Sequence, residues 1–309
     1  LDPLRLAASV PQATWKLLRW RPDVIYTTGG YVAIPVLAAA ALLRIPSLLW
    51  EGNQIPGRSV RLSARLASLR SVTFPGTAQR LPHPVFVTGT PIRGLGGLQK
   101  DEARRRLGIP ADVPGMLIFG GSQEVKRFNE AVSDAIADLV ERCSVVHIAG
   151  SGGIEAAEAD RARLPVDRQD RYRPFSFLAE DMSAALRAAD LVVGRAGAST
   201  LSETAAAGVP MVVVPYPHAA AHQRANAAEM VDAGAAILVD DEHLDGGTLR
   251  EAADLLYDGR LTTMSAAAHR VGRPGSAAAG AWLLEILAAG GPLPTQHEID
   301  AVTRSEQPS

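Results

Sequence analysis

The chain has 309 residues, of which 47% are hydrophobic and 21% charged, with 31 basic side chains against 33 acidic ones and a net charge of -2. That length suits two domains, and the near-cancelling charge excludes the basic surface that contacts to a nucleic-acid backbone require, so no nucleic-acid partner is expected. A single cysteine, Cys143, lies in an apolar run; it excludes an intrachain disulfide framework and fits a reducing compartment.

The N-terminal segment interleaves Leu4, Leu6, Val10, Trp15, Leu17 and Leu18 with Arg5, Lys16, Arg19 and Arg21. Apolar groups with basic neighbours suit an interfacial helix on an anionic membrane surface. Pro11 is expected to limit any continuous helix, and most of these apolar groups are expected to cover the first sheet. No secretory signal is visible in this segment. The most apolar run, residues 32–50, contains Pro35, Arg44 and Pro46 and is too broken to span a membrane. It reads as a buried helix followed by a strand.

From there, short β-branched strands alternate with alanine-rich helical stretches. The strand at 24–26 runs into Thr27-Thr28-Gly29-Gly30 and a helix at 36–43, and the strand at 47–50 ends at Glu51-Gly52-Asn53. Further strands at 71–73 and 85–87 complete three or four in the first half. The strand at 116–119 ends at Gly120-Gly121-Ser122, with a helix at 129–142, and that at 145–149 ends at Gly150-Ser151-Gly152-Gly153. Strands at 191–193 and 211–214 end at Arg195-Ala196-Gly197-Ala198 and Pro215-Tyr216-Pro217-His218. This alternation predicts an α/β protein of two Rossmann-like domains built on parallel sheets. A break in the rhythm after Pro91 sets the expected boundaries: 1–91 for the first domain, 92–290 for the second with its last helix packing back on the first, and a disordered polar tail at 291–309. With so few strands, the first domain reads as incomplete at its N-terminus.

In an open parallel sheet, ligands bind beyond the carboxyl ends of the strands, where every one of these glycine-rich segments falls. Gly120-Gly121-Ser122 lets backbone N–H groups approach a diphosphate, with Ser122 adding a hydroxyl; a plain strand-to-helix turn needs the same small residues. Gly197, Ala198, Ser199 and Thr200 stand at a helix start that favours an anion. Glu203, one turn on, can accept from the vicinal hydroxyls of a ribose, or can form a capping box with Thr200. His222, Gln223 and Asn226 face either the same crevice or solvent. His218 and His222 lack a third ligand, so no metal is expected. Glu51 is a candidate acid or base and Asn53 a candidate partner for sugar hydroxyls.

Taken in order from Pro22 to Val239, these residues resemble the MurG family, the undecaprenyl-diphospho-muramoylpentapeptide N-acetylglucosaminyltransferases. Gly29-Gly30-Tyr31-Val32 with Pro35 is similar to the family's acceptor loop, so that Thr28, Gly29, Gly30 and Tyr31 would form the acceptor side. Glu51 and Asn53 match two positions of its H-E-Q-N element; Trp50 and Gly52 depart from the other two. Gly89-Thr90-Pro91-Ile92-Arg93 matches the end of the first domain, with Thr90 in place of asparagine. Gly120-Gly121-Ser122-Gln123 with Asn129 matches the phosphate loop, with Glu124 replacing a glycine. Arg195-Ala196-Gly197-Ala198 and Thr200, Leu201, Ser202 and Glu203 follow the donor signature.

The resemblance implies the GT-B fold, two domains facing a cleft, and an inverting transfer of N-acetylglucosamine from UDP-N-acetylglucosamine to an undecaprenyl-linked acceptor, without cofactor or metal. It implies ribose binding by Glu203, uracil recognition by the backbone near Ala179, and phosphate contacts from Ser122 and Arg93. Gln223 and Asn53 would meet the donor sugar, with Ala198, Ser199, Thr200, Leu201 and Ser202 completing the donor segment. The protein would work in the cytoplasm, peripheral on the inner face of the membrane. The family's N-terminal glycine-rich loop, which ends in a histidine proposed as base, has no counterpart before Leu1. Glu51 is therefore the catalytic candidate left, and the chain as given is expected to turn over little or no substrate. Competing readings are a related GT-B transferase with a diacylglycerol or small-molecule acceptor, a non-catalytic UDP-sugar-binding protein and, more distantly, a nucleotide-sugar epimerase.

Overall fold

Short parallel strands, most of them buried on both faces, organise the molecule, a computed structural model that describes residues 3–94, 98–121, 125–178, 181–217 and 220–305. It opens on α1 (Pro3–Trp20), which runs through Pro11 without a break. Packing overrides the expected interruption: Leu17 and Ala13 sit against Ala39, Ala40 and Leu43 of α2 (Ala33–Leu43), and the Thr14 hydroxyl donates to the Val10 carbonyl at 2.8 Å. The apolar run at 32–50 divides into α2 and β2 (Ser47–Glu51), as its sequence suggests. The divide falls at Arg44, a left-handed residue (φ 57°) whose N–H caps α2 on the Ala40 and Ala41 carbonyls.

β1 (Ile25–Thr27), β2, β3 (Leu69–Val72) and β4 (Val85–Val87) form one parallel sheet in the order β1-β2-β3-β4. Successive side chains take opposite faces. Leu49 and Val72 pack with Leu37 of α2 and with Val60 and Ala64 of α3 (Arg58–Leu66). Leu48, Leu69 and Phe86 point the other way. After the short α4 (Pro75–Ala78), the chain leaves this unit at Arg93.

The second unit, Gly94–Gly272, carries a six-stranded parallel sheet. Its strands are β5 (Gly115–Phe119), β6 (Ser144–Ile148), β7 (Tyr172–Phe175), β8 (Leu191–Gly194), β9 (Met211–Val213) and β10 (Ala236–Leu238). The spatial order β10-β9-β8-β5-β6-β7 reverses direction between β5 and β8, the switch point where a doubly wound sheet opens a ligand crevice. Its core gathers Met116, Ile118, Val145 and Val193 of the sheet with Phe128, Val132, Ile136 and Leu139 of α6 (Lys126–Arg142). The other helices are α5 (Lys100–Leu107), α7 (Ile154–Arg163), α8 (Met182–Ala188), α9 (Ala198–Ala206), α10 (Ala220–Asp232), α11 (Gly246–Asp254) and α12 (Arg260–Val271).

From Arg273 the chain rejoins the first unit. α13 (Ser276–Ala289) lays Ala279 and Leu283 on the face presented by Leu48, Leu69 and Phe86, so the boundary near 290 expected from sequence moves back to Gly272. The described part of the expected disordered tail, residues 291–305, is ordered instead, because α14 (Gln296–Arg304) opens with a Thr295–Glu298 capping box and buries Ile299 completely in that cluster. Gln296 also seals the edge of β4: the Val87 N–H donates to its Oε1 at 2.9 Å, and its Nε2 donates to the Val87 carbonyl at 3.0 Å. Ile299→Ala should therefore cost about 2–5 kcal/mol of stability in urea unfolding. An unchanged midpoint would mean that α14 does not belong to this core.

Candidate functional site

Both sheets end in glycine-bearing turns at their carboxyl edges, and buried side chains fix the shape of each turn. In the second unit, Gly120 and Gly121 follow β5. Gly121 adopts φ +75°, and a Cβ on Gly120 would lie 3.0 Å from the Val125 backbone, so the turn requires glycine. Ser122 and Ala179 lie outside the described residues. Beside this turn, at the ends of β5, β6 and β7, opens a largely apolar pocket of about 580 Å³. Phe119, Ile148 and Leu178 wall it, Phe177 stands exposed at its side, and Gly121, Gly150, Ser151 and Gly152 supply backbone.

At the end of β8 the N-cap of α9 is Gly197, which has no side chain with which to cap the helix. Thr200 is thus the third helical residue rather than the cap, which removes the capping-box alternative for Thr200 and Glu203. The N–H groups of Ala198, Ser199 and Thr200 belong to the first turn, whose dipole favours an anion. Ser199 is exposed, while Ser202 and Glu203 are half-buried. Leu201 is a core side chain at 2% exposure, so a donor could meet only its backbone. On α10, Gln223 accepts the Tyr216 N–H at 2.8 Å, and buried Asn226 donates to the Ala196 carbonyl at 3.4 Å. Asn226 is therefore no part of a solvated face, although His222 is exposed.

Arg195 lies beneath these turns at 5% exposure. Its guanidinium sits 4.9 Å from the Phe128 ring centroid and 5.4 Å from that of Tyr216, and it donates to Asp241 at 2.5 Å. The second oxygen of Asp241 pairs with Arg127 at 3.2 Å. The Arg195 side chain is thus a strut rather than a ligand contact.

A second cluster, which sequence reasoning missed, joins buried His147 and Tyr172 to half-buried Asn129. His147 Nδ1 lies 2.8 Å from the Tyr172 hydroxyl, His147 Nε2 lies 3.0 Å from Asn129 Oδ1, and Asn129 Nδ2 donates to the Ala149 carbonyl at 3.0 Å. A histidine inside an apolar strand followed by a glycine-rich turn was the signal available.

In the first unit, Gly29 and Gly30 take φ +83° and +82°, and a Cβ on Gly29 would meet Val60 at 2.8 Å. The Gly29 N–H donates to Thr27 Oγ1 at 3.1 Å; Thr28 and Tyr31 are exposed on the same turn. On neighbouring β2, Glu51 is 4% exposed and its Oε1 accepts both the Asn53 N–H (2.7 Å) and Asn53 Nδ2 (3.1 Å). The departures from the H-E-Q-N pattern are coupled. The Trp50 indole donates to the Gly89 carbonyl at 3.0 Å, and its ring would lie 2.6 Å from any Cβ at Gly52. Thr90 pairs with the buried Thr73 hydroxyl at 3.0 Å, and Arg93 is exposed at the end of the unit. Among the described residues, no group of three or more His, Cys, Asp or Glu side chains is placed to hold a metal ion.

The glycosyltransferase family 28 N-terminal domain matches residues 1–69, and the glycosyltransferase family 28 C-terminal domain matches residues 116–278. The fold and these matches define a two-domain glycosyltransferase. A Chlorobium limicola protein named UDP-N-acetylglucosamine–N-acetylmuramyl-(pentapeptide) pyrophosphoryl-undecaprenol N-acetylglucosamine transferase is 37% identical over 276 residues, 88% of this chain and 74% of the relative. The Moorella thermoacetica protein of the same name is 38% identical over 277 residues, 86% of this chain and 74% of that one. Acinetobacter baumannii MurG superposes with a TM-score of 0.74 at 31% identity, covering 92% of this chain and 79% of its own. The chain belongs to the MurG family. The glycosyltransferase SnogD from Streptomyces nogalater, at 21% identity and a TM-score of 0.60 over 91% of this chain and 79% of its own, shares the fold.

Burial pushes the His147 imidazole down to about 4, so it is neutral in the native protein at neutral pH. The unfolded chain takes up a proton at this residue near the ordinary value of about 6.5. Between those two values the unfolded state binds more protons, so stability falls as pH falls through the window. Urea midpoints at about pH 7 and about pH 5 should differ more for the native chain than for His147→Gln. Equal differences would show that His147 does not resist protonation.

Proposed function

We propose that this chain transfers N-acetylglucosamine from UDP-N-acetylglucosamine to a lipid-linked muramoyl-pentapeptide, with the nucleotide held by the second unit. The observation that carries this reading is the β8–α9 junction, where the N-cap Gly197 brings no side chain of its own to the first-turn N–H groups and Glu203 stands on the next turn. Such a junction binds diphosphate by dipole and N–H donation, and a carboxylate beside it accepts from ribose hydroxyls. The pocket beyond β5, β6 and β7 offers the uracil an apolar seat, with backbone recognition near Ala179. Gln223 holds the Tyr216 turn through its oxygen and so meets the sugar as a donor, through Nε2.

In the transfer, the acceptor hydroxyl attacks the anomeric carbon as the bond to the diphosphate breaks, inverting the centre. The developing charge on UDP is met by the α9 N-terminus, with Ser122 and Arg93 as the further phosphate partners. On the acceptor side, Thr28, Gly29, Gly30 and Tyr31 form the turn beside Asn53. The Glu51 carboxylate accepts both the N–H and the side-chain amide of Asn53, which supports a positioning role: it presents Asn53 to the sugar.

The same reading places the protein on the cytoplasmic face of the membrane, docked through α1. Among the described residues, no helix is long and apolar enough to cross a membrane. Leu17 faces the core, but Trp15, Leu18 and Trp20 are 67%, 55% and 74% exposed, beside exposed Lys16, Arg19 and Arg21. Indole rings flanked by basic groups suit the headgroup layer of an anionic bilayer.

Two experiments check these assignments. Glu203→Ala should weaken UDP binding by about 1.5–3 kcal/mol in calorimetry, and an unchanged affinity would remove Glu203 from the ribose site. The double change Trp15→Ser with Trp20→Ser should lower co-sedimentation with anionic vesicles while leaving UDP affinity intact. Undiminished co-sedimentation would move the docking surface elsewhere.

A further inference from the structure

We infer that His147 and Asn129 are positioning residues for the donor nucleotide, because one directed chain of hydrogen bonds runs through them to the turn that walls the pocket. The inference rests on the reading of that pocket as part of the UDP site.

The direction of the chain follows from its last member. The Ala149 carbonyl can only accept, so the Asn129 group 3.0 Å away is the amide NH2, and Oδ1 faces His147. Nε2 of His147 must then carry the hydrogen, which leaves Nδ1 to accept from the Tyr172 hydroxyl. The neutral imidazole has one donor and one acceptor, and both are used. Tyr172 and His147 are almost wholly buried, so water is kept from the bond between them.

What the chain holds is the turn at residues 150–153. Gly153 has no room for a side chain: its Cβ would fall 2.0 Å from Asn129 Nδ2 and 2.5 Å from the Ala149 carbonyl. The Asn129 amide occupies that space. The Gly153 and Ile154 N–H groups both bond to the Gly150 carbonyl at 3.1 Å, so the turn moves as one piece. Beside it, the Asn129 N–H bonds to the Val125 carbonyl at 2.9 Å, and Val125 and Gly121 line the same pocket. Asn129 thus ties this turn to the residues that begin α6, and His147 sets the rotation of its amide. A histidine–tyrosine pair that merely filled the core would be replaceable by apolar side chains of similar volume at little cost. A directed chain ending on a binding turn is not.

Two substitutions at one position separate these cases. His147→Gln places an amide nitrogen near the former Nε2, within reach of Asn129, whereas His147→Asn places its amide near the former Nδ1 and leaves Asn129 without its donor. His147→Asn should weaken UDP binding by about tenfold and raise the donor KM to match, with the acceptor KM unchanged. His147→Gln should recover most of that loss. In the ligand-free protein, amide exchange at Gly153 and Ile154 should quicken in His147→Asn and much less in His147→Gln. Equal behaviour of the two variants, in affinity and in exchange, would overturn the inference, as would donor and acceptor KM rising together. Should His147→Asn not fold, Asn129→Leu carries the same expectation, and native UDP affinity in it would overturn the claim. Unmodified protein that binds no UDP overturns the donor reading itself, while the exchange rates still decide whether the chain holds the turn.

Discussion

A guanidinium buried to 5% exposure has to be paired, and the pairing of Arg195 organises the carboxyl edge of the larger sheet. Its anion is Asp241, on the turn after β10, and its flat faces are covered by Phe128 from α6 and Tyr216 from the turn after β9. Arg195 itself begins the turn between β8 and α9. One side chain therefore ties together the turns after β8, β9 and β10 and the first turn of α6. Asn226 and Gln223 add bonds to the same turns from α10. The start of α9 thus rises from a braced base, which is what preorganised binding of a diphosphate demands.

The same logic recurs wherever a strand ends. A parallel sheet supports its strands from both faces but leaves the turns at its carboxyl edge to be held by side chains. In the smaller sheet Glu51 holds Asn53, Thr77 donates to the Asn53 and Gln54 carbonyls at 3.0 and 3.1 Å, and Thr73 holds Thr90. The Trp50 ring fills the space over Gly52, and the glycine permits it. The turns carry the binding groups, and the buried polar residues beneath them carry the geometry.

Much of the architecture was legible in the chain, because strand–helix alternation is written in contiguous residues. The two parallel sheets and the placing of glycine-rich turns at strand ends follow from local pattern. β7 escaped notice because Arg173 and Pro174 interrupt its apolar character, which an edge strand tolerates. The anchors escaped because they join distant positions: Arg195 finds Asp241 46 residues on, and His147 finds Tyr172 25 residues on. No periodicity encodes such pairings. α14 is a different case, since Thr295 and Glu298 spell a capping box and Ile299 and Val302 share a helical face; polar composition and Pro294 masked a signal that was present.

The central claim is that the nucleotide binds the second unit across the turns that Arg195, His147 and Asn129 hold in place. A crystal structure of the chain with UDP bound tests it most directly. The account predicts ribose hydroxyls within hydrogen-bond distance of Glu203, diphosphate against the first-turn N–H groups of α9 and the Gly121 turn, and the base in the pocket beside Leu178. Nucleotide density away from α9, or a ribose that leaves Glu203 without contact, would contradict it.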